Sequence, residues 1–291
     1  MNYPDSVAEL TQTLRRGRYL ADRGLATAVF VALHLQRPLL LEGEVGVGKT
    51  EIAKVLASVF DRELIRLQCY EGIDTNQALY EWDYARQLLH IRALSERHLS
   101  DEEAVEKLFG PKFLLERPLL RAIQAGDKAV LLIDEVDRAD DEFEAFLLEL
   151  LSDFQITIPE VGTIRAERPP LVVLTSNRTR ELHDALKRRC MYHWIDYPAP
   201  DREVEIVTIR EPRVSEALAR KVVAAVNRLR EMDLAKPPGV AETIDWARTL
   251  EFLGETSLNA DVAEITLGAV VKERDDLALV RGNLEEITSH A

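Results

Sequence analysis

Short apolar runs alternate with stretches of helical periodicity between residues 39 and 177. The runs have the length of buried strands and cover residues 39–42, 63–70, 128–134 and 170–177. Residues 51–60 continue as a helix. In a second helix, apolar residues recur at steps of three and four: Phe143, Phe146, Leu147, Leu150, Leu151 and Phe154. Strands that alternate with helices predict an α/β fold, with a parallel sheet flanked by helices on both faces.

Three further segments before residue 199 show recognisable patterns. Residues 5–35 predict two helices with a break near Gly17 or Gly24. A long, mostly helical stretch is predicted from the second strand to about Gln124. Residues 155–167 predict a β-hairpin, because a turn rich in proline and glycine separates two short β-prone segments.

The pattern changes after residue 198. Pro198 and Pro200 interrupt the chain. Beyond them the periodicity is helical over residues 202–210, 214–232, 240–253, 259–273 and 276–288. We therefore predict two domains, an αβα core over residues 1–198 and a small all-helical domain over residues 199–291.

Composition and charge argue against nucleic acid as the main partner. The 291 residues are 46% hydrophobic and 30% charged, which is ordinary for a globular protein. The 51 acidic and 37 basic side chains give a net charge of −14. Affinity for DNA or RNA comes largely from phosphate neutralisation by clustered lysine and arginine, and this chain is acidic instead.

Targeting signals and thiol chemistry are absent from the sequence pattern. The longest uncharged apolar run near the start covers residues 24–36, which is shorter than the roughly 20 residues of a membrane span. The first ten residues lack a basic region, so we expect no signal peptide. Cys69 and Cys190 form no disulfide framework, and the six histidines show no metal-ligand spacing. We expect a cytoplasmic protein with two core thiols.

A glycine-rich loop between the first strand and the next helix has the spacing of a phosphate-binding loop. The pattern G-x-x-x-x-G-K-[ST] is matched by Gly43, Glu44, Val45, Gly46, Val47, Gly48, Lys49 and Thr50, and Glu51 follows. The glycines allow backbone N–H groups to turn toward phosphate oxygens, and the helix N-terminus adds positive charge. Lys49 is expected to reach the β- and γ-phosphates, and Thr50 to bind Mg²⁺.

Asp134 ends the buried strand at 128–134, and a second acidic residue, Glu135, follows it. Asp134 and Glu135 stand at its carboxyl end, where ligands bind in open α/β sheets. Asp134 suits the Mg²⁺ shell, and Glu135 suits a general base for an attacking water. The alternative is that the acids end a strand and cap a helix. We expect Asp140 and Asp141, with Glu144, to do the capping.

An amide and two arginines follow the next buried strand. Asn177 could orient the attacking water beside the γ-phosphate, or it could be a turn former only. Residues 181–189 predict a helix with Arg188 and Arg189 at its far end, about 13 Å along. At that distance an arginine suits a nucleotide on a neighbouring subunit. Alternatively, the pair is simply favoured at a helix C-terminus.

These motifs, in this order, resemble the AAA+ ATPases over nearly the whole chain. The resemblance is greatest to the MoxR-type branch, in the clade that also holds the magnesium chelatase ATPase subunits. Within that branch, the chain is similar to the CoxD-like members in three passages: "YLADRGLATAVFVALHLQRPLLLEGEVGVGKTEIAKVLA", "QCYEGIDTNQALYEWDY" and "IPEVGTIRAERPPLVVLTSNRTRELHDALKRRCMYHWIDYP".

The resemblance implies a P-loop AAA+ core with a helical lid, and it implies roles for the residues above. It assigns Gly43–Thr50 as Walker A, Asp134 and Glu135 as Walker B, Asn177 as sensor 1, and Arg189, with Arg188 ranked second, as arginine finger. Residues 155–167 resemble the extra hairpin before sensor 1 of this clade. Relatives carry a sensor 2 arginine where this chain has Ala241 to Thr243. Arg248 lies about one turn later and is either a substitute or a surface residue.

The function implied by the resemblance is Mg²⁺-dependent ATP hydrolysis in a ring, most often a hexamer. MoxR-type proteins act as chaperones for other proteins, often metalloenzymes, with a partner that bears a von Willebrand A (VWA) domain. CoxD-like members are associated with the metal centre of a carbon monoxide dehydrogenase. Three alternatives share part of the pattern: a chelatase-like metal-insertion motor, a P-loop phosphotransferase, and a DNA-linked motor that the net charge of −14 disfavours.

Overall fold

The computed structural model describes residues 3–94, 111–159 and 161–289. The described residues form two compact units. One unit draws on residues 1–13, 21–42 and 52–193, and the other on residues 14–20, 43–51 and 194–291. The phosphate loop is thus grouped with the C-terminal helices, and the boundary at residue 199 stays a prediction.

The elements follow the chain in an alternating order. The strands are β1 (Leu39–Gly43), β2 (Glu63–Gln68), β3 (Tyr80–Trp82), β4 (Leu114–Glu116), β5 (Ala129–Asp134), β6 (Gln155–Ile158), β7 (Gly162–Arg165), β8 (Leu171–Ser176) and β9 (Met191–Ile195). The α-helices are α1 (Val7–Arg16), α2 (Arg23–Leu35), α3 (Lys49–Val59), α4 (Thr75–Ala78), α5 (Tyr84–Leu94), α6 (Pro118–Ala125), α7 (Asp141–Asp153), α8 (Asp184–Arg189), α9 (Pro200–Arg210), α10 (Glu216–Glu231), α11 (Val240–Phe252), α12 (Ala260–Thr266), α13 (Arg274–Arg281) and α14 (Leu284–Thr288).

The central sheet has the order β2-β5-β8-β1-β9. The pairs β2·β5, β5·β8 and β8·β1 are parallel. Every residue of β1, β5 and β8 is buried, as expected for inner strands covered on both faces. The predicted α/β fold with a parallel sheet is confirmed. Because their strands are parallel and adjacent, the segments after β5, β8 and β1 start at the same edge of the sheet.

Some short strands were not predicted. β3 and β4 pair as an antiparallel ribbon inside the stretch predicted to be mostly helical, and strands of three residues are too short to show alternation. Residues 95–110 of that stretch lie outside the described residues. β9 was also missed, because His193 interrupts its apolar pattern. The predicted hairpin is confirmed as the antiparallel pair β6·β7.

The C-terminal helices enclose a second hydrophobic core. Trp246 on α11 is fully buried there, and its Nε1–H donates to the hydroxyl of Thr266 at 2.8 Å. The predicted helix over 259–273 is shorter: α12 ends at Thr266 and a 3₁₀ turn follows over Leu267–Ala269. Among the described residues, every helix is too short or too polar to cross a bilayer.

The two cysteines are buried free thiols, as expected from the sequence. Burial raises the pKa of both Cys69 and Cys190 to about 12. At Cys69, the carboxylates of Asp134, Asp137 and Glu135 also oppose a thiolate and contribute to the raised pKa. The thiols therefore stay protonated at neutral pH.

Candidate functional site

The phosphate loop links β1 to α3 through backbone conformations that require glycine. Gly46 and Gly48 have φ values of +79° and +94°, in the region that side chains with a Cβ rarely adopt. α3 begins at Lys49, so the loop ends on a helix N-terminus. This geometry turns successive N–H groups to one side and forms a site for an anion.

Lys49 is buried and folded back over its own loop. Its ammonium donates to the carbonyl oxygens of Gly43 at 2.7 Å and Glu44 at 2.5 Å. The Tyr19 hydroxyl is 3.5 Å from the Gly48 carbonyl oxygen. Glu51, in the first turn of α3, accepts a hydrogen bond from the Arg210 guanidinium at 2.6 Å. The phosphate loop and the start of α3 thus contact Tyr19, which precedes them in the chain, and Arg210 at the end of α9.

The start of α11 lies directly on the phosphate loop. The Ala241 N–H donates to the Gly46 carbonyl oxygen at 3.2 Å. Glu242 accepts from the Gly239 N–H at 2.9 Å, and its carboxylate lies 2.9 Å from where a Cβ on Gly46 would stand. Any nucleotide phosphate in the loop would thus have the first turn of α11 as a neighbour.

Arg248 lies two turns further along α11. Its guanidinium pairs with Glu211 and with Asp245, at 3.5 Å for the second pair. The side chain is more than half exposed.

Arg230 on α10 is a different case that the sequence did not single out. Its side chain is 9% exposed, pairs with Glu203 at 2.7 Å, and lies over the Tyr197 ring.

Asp134 and Glu135 stand at the end of β5, as the apolar run predicts. Asp134 is buried and accepts from the Thr175 hydroxyl at 2.6 Å and from Arg66 at 2.5 Å. Glu135 has a φ of +54°, and its N–H donates to the same Thr175 hydroxyl at 2.9 Å. This left-handed conformation is uncommon for a residue other than glycine and is often found at functional positions.

Three donors surround the Glu135 carboxylate. The Gln68 amide donates to Oε2 at 3.0 Å, and Arg138 pairs with the same oxygen at 3.1 Å. The Asn177 amide donates to Oε1 at 3.4 Å. The structure therefore brings together Asp134, Glu135 and Asn177, which the sequence predicted separately.

Asp137 anchors the loop that carries Asn177. It is buried and accepts from the Asn177 N–H at 3.2 Å, from the Thr179 N–H at 2.8 Å and from the Thr179 hydroxyl at 2.8 Å. Sequence analysis missed this residue, because the motif offers several acids in a row and only the fold shows which of them turns inward.

Glu144 does not cap α7 as predicted. Asp140 alone accepts the capping hydrogen bond, from the Phe143 N–H at 2.9 Å. Glu144 is fully buried, pairs with Arg180, and accepts from the His183 N–H at 2.9 Å. The reason is geometric: Glu144 is the fourth helical residue, one position too far for a capping box.

Arg188 and Arg189 are exposed at the end of α8. This helix starts at Asp184 rather than at residue 181, so its six residues rise by about 9 Å and not 13 Å. The Arg189 guanidinium donates to the Leu148 carbonyl oxygen at 3.1 Å. Arg37 holds the helix end, since its guanidinium donates to the carbonyl oxygens of Arg188 and Arg189.

Glu42 closes β1 immediately before the phosphate loop. It is buried and accepts from the Ser176 hydroxyl at 3.2 Å and from the Tyr192 hydroxyl at 3.0 Å. Burial and the hydrogen bond to Glu42 raise the pKa of Tyr192, so the phenol remains a donor at neutral pH. Glu42 thus joins the end of β1 to the end of β8.

No cluster of three or more His, Cys, Asp or Glu residues suited to a metal occurs within the described ranges.

Comparison with known proteins supports one family. Residues 38–190 match the family model of the AAA domain, dynein-related subfamily. The gas vesicle ATPase GvpN1 of Halobacterium salinarum is 24% identical, over 88% of this chain and 74% of that protein. An uncharacterized protein of Staphylococcus epidermidis is 25% identical, over 83% of this chain and 86% of that protein.

The fold is also found among solved structures. A Thermotoga maritima RuvB variant aligns with a TM-score of 0.50 at 17% identity, over 91% of this chain and 72% of the RuvB chain. At that identity the match concerns the fold alone. The family match covers more than half of the chain and includes β1, the phosphate loop, β5 and β8. The chain therefore belongs to the AAA+ ATPases, in the dynein-related subfamily of the AAA domain.

Proposed function

We propose that this chain is a Mg²⁺-dependent ATPase motor of the MoxR type, which remodels other proteins. The main support is the order of the strands. β5, β8 and β1 are neighbours in the parallel sheet. Glu135 follows β5, Asn177 follows β8, and the phosphate loop follows β1. Ligands of open α/β sheets bind at this edge.

The phosphate loop suits the triphosphate of ATP. Its positive-φ glycines and the N-terminus of α3 supply N–H donors and partial positive charge. Lys49 would exchange the carbonyl oxygens of Gly43 and Glu44 for β- and γ-phosphate oxygens. That exchange replaces neutral acceptors with charged ones, which makes stronger hydrogen bonds.

The residues present also suit Mg²⁺. The Thr50 hydroxyl and the Asp134 carboxylate are hard oxygen ligands of the kind Mg²⁺ prefers. The Thr175 hydroxyl orients Asp134 by donating to its Oδ1. Held by Thr50 and Asp134, Mg²⁺ would supply positive charge that neutralises the charge developing on the phosphates.

Glu135 and Asn177 would activate and orient the attacking water. Glu135 would accept its proton, and the Asn177 amide, already within hydrogen-bond distance of Glu135, would orient it. Glu135 also accepts from Gln68 and Arg138. These donors compete with the water for the carboxylate.

Assembly into a ring, most simply a hexamer, completes the proposal. Arg189, or Arg188 in its place, would reach the nucleotide of a neighbouring copy and stabilise the transition state. Residues 199–291 would act as a lid, with α11 in contact with the phosphate loop and Arg248 as the candidate sensor 2. By family resemblance, a VWA-domain partner and a client metalloenzyme of the carbon monoxide dehydrogenase type would receive the force.

The substitution Glu135→Gln tests the chemistry. It removes the base but keeps the size of the side chain and one acceptor oxygen, so we expect ATP hydrolysis to fall by about 10²–10⁴-fold while the affinity for a fluorescent ATP analogue is retained. The matched control is Glu149→Gln, on an exposed position of α7, which should leave both unchanged. Hydrolysis by Glu135→Gln at the wild-type rate would remove Glu135 from the mechanism.

A further inference from the structure

Asp134 is a buried carboxylate that forms an ion pair with an arginine from the neighbouring strand. β2 and β5 are parallel, with Gln68 opposite Asp134 and Arg66 opposite Leu132. Arg66 and Gln68 are two residues apart, so their side chains lie on the same face of the sheet. Arg66 uses this position to donate to Asp134 Oδ2 at 2.5 Å and to Gln68 Oε1 at 2.5 Å.

The two partners of this ion pair differ greatly in exposure. The Asp134 side chain is 4% exposed, whereas that of Arg66 is 51% exposed. A buried carboxylate without a cation is costly, because its lost hydration is not replaced. A half-exposed guanidinium can leave for solvent at little cost. The ion pair therefore stabilises the buried Asp134 carboxylate more than it stabilises the exposed Arg66 guanidinium.

A metal ion at Asp134 would lie close to the guanidinium of Arg66, because both would contact the same small carboxylate. Oδ1 is engaged by the Thr175 hydroxyl, which is neutral and compatible with a bound cation. Oδ2 is engaged by a full positive charge. A guanidinium and a divalent ion on the same oxygen would repel each other at close range, so one must displace the other.

We propose that Arg66 sets the affinity of the site for Mg²⁺ by competing with the metal for Asp134 Oδ2. This inference rests on the proposed function, because it takes Asp134 as a Mg²⁺ ligand. Arg66 acts as an internal cation that occupies the Asp134 carboxylate until Mg²⁺ arrives with the nucleotide. Arg66 is thus a determinant of metal affinity that touches the metal ligand and not the reacting phosphate.

The experiment titrates Mg²⁺ into the chain in the presence of saturating fluorescent ADP and reads out binding, not turnover. Arg66→Gln removes the competing charge, and the apparent Kd for Mg²⁺ should fall by about three- to thirty-fold. Arg66→Lys keeps a positive charge and should stay closer to wild type. The matched control is Arg121→Gln. It breaks an exposed ion pair with Glu63, which lies on β2 as Arg66 does, and it should leave the Kd for Mg²⁺ unchanged.

Thermal unfolding gives a second readout that a merely structural ion pair would not produce. With EDTA, Arg66→Gln should melt below wild type, because the buried Asp134 carboxylate loses its ion pair with Arg66. With Mg²⁺ and ADP the difference should close, because the metal replaces the arginine. In an Asp134→Asn background, Arg66→Gln should no longer change the Mg²⁺ titration, as a double-mutant cycle requires of a direct competitor.

An unchanged or higher Kd for Mg²⁺ in Arg66→Gln, alongside normal Mg²⁺-dependent nucleotide binding by wild type, would overturn the inference and leave the proposed function intact. An equal loss of melting temperature with and without Mg²⁺ would likewise overturn it. If wild type binds no nucleotide in the presence of Mg²⁺, the proposed function itself fails.

Discussion

At the scale of single residues, Asp137 shows how a side chain outside the reacting groups can decide the geometry of a site. It satisfies two backbone N–H groups and one hydroxyl in the segment that carries Asn177. The same segment places Arg178 in the left-handed region, with φ of +56°. A segment with this conformation needs a buried acceptor to hold it, and Asp137 supplies one.

We therefore expect Asp137→Ala to act on catalysis as well as on stability. The loss leaves buried donors unpaired, so the free energy of unfolding should fall by about 1–3 kcal/mol. The Asn177 amide should lose its position, so kcat should drop more than nucleotide affinity. Urea unfolding and steady-state ATPase assays measure the two effects.

The control for this prediction is Asp153→Ala, at the exposed C-terminal end of α7. It should change neither quantity appreciably. A variant Asp137→Ala that loses stability but keeps full kcat would show that Asp137 is a structural residue only.

The partners of the acidic residues mark the limit of what the sequence predicts at this scale. Lys49, Asp134 and Asn177 are identified by spacing and by their position after an apolar run. Arg66 and Arg138 are not, because the contact of Arg66 depends on the register of β2 against β5, and that of Arg138 depends on the positive φ of Glu135. Neither the register of β2 against β5 nor the φ of Glu135 can be predicted from the local sequence pattern.

At the scale of elements, long and strongly patterned segments are predicted well and short ones are not. β1, β5 and β8 are apolar throughout because the sheet is covered on both faces. α8 is shorter than predicted, because Glu144 pairs with Arg180 and accepts from the His183 N–H, which holds the preceding residues outside the helix. This tertiary contact overrides local helix propensity.

The approach of α11 to the phosphate loop gives a prediction for Gly239. A Cβ at this position would lie 2.7 Å from both the Gly46 Cα and the Val45 carbonyl oxygen. Because both are backbone atoms, they cannot rotate away. Gly239→Ala should therefore push the start of α11 off the loop and weaken nucleotide binding by at least about tenfold, at a stability cost of about 1–3 kcal/mol.

A titration with fluorescent ADP, together with thermal melting, checks this. Gly268→Ala is the matched control, since nothing lies within 4 Å of a Cβ placed there, and it should be neutral or slightly stabilising. Equal nucleotide affinity of Gly239→Ala and Gly268→Ala would mean that the contact between α11 and the loop does not matter for binding.

At the scale of the whole molecule, the arrangement of charge bears on assembly. The chain carries a net charge of −14, yet Lys187, Arg188 and Arg189 form a basic end on the short helix α8. Arg37 and the Leu148 carbonyl fix this end in place. A preorganised basic tip on an acidic molecule is electrostatically complementary to a second copy of the chain or to a nucleotide bound by it.

Arg189→Ala tests whether that tip acts across a subunit boundary. If Arg189 completes the site of a neighbour, the variant should bind nucleotide like wild type but lose about 10³-fold or more in kcat. Arg188→Ala should lose less. Wild-type ATPase activity per chain should rise with protein concentration, because a chain without a neighbour lacks the arginine.

Mixing two inactive variants separates action in trans from action within one chain. In a mixture of Arg189→Ala and Glu135→Gln, some boundaries pair an intact Glu135 from one copy with an intact Arg189 from the next, so activity should return. Neither variant alone has such a boundary. Activity per chain that is flat over a dilution series, together with a mixture that stays inactive, would mean that each chain completes its own site, and the ring would then have no part in hydrolysis.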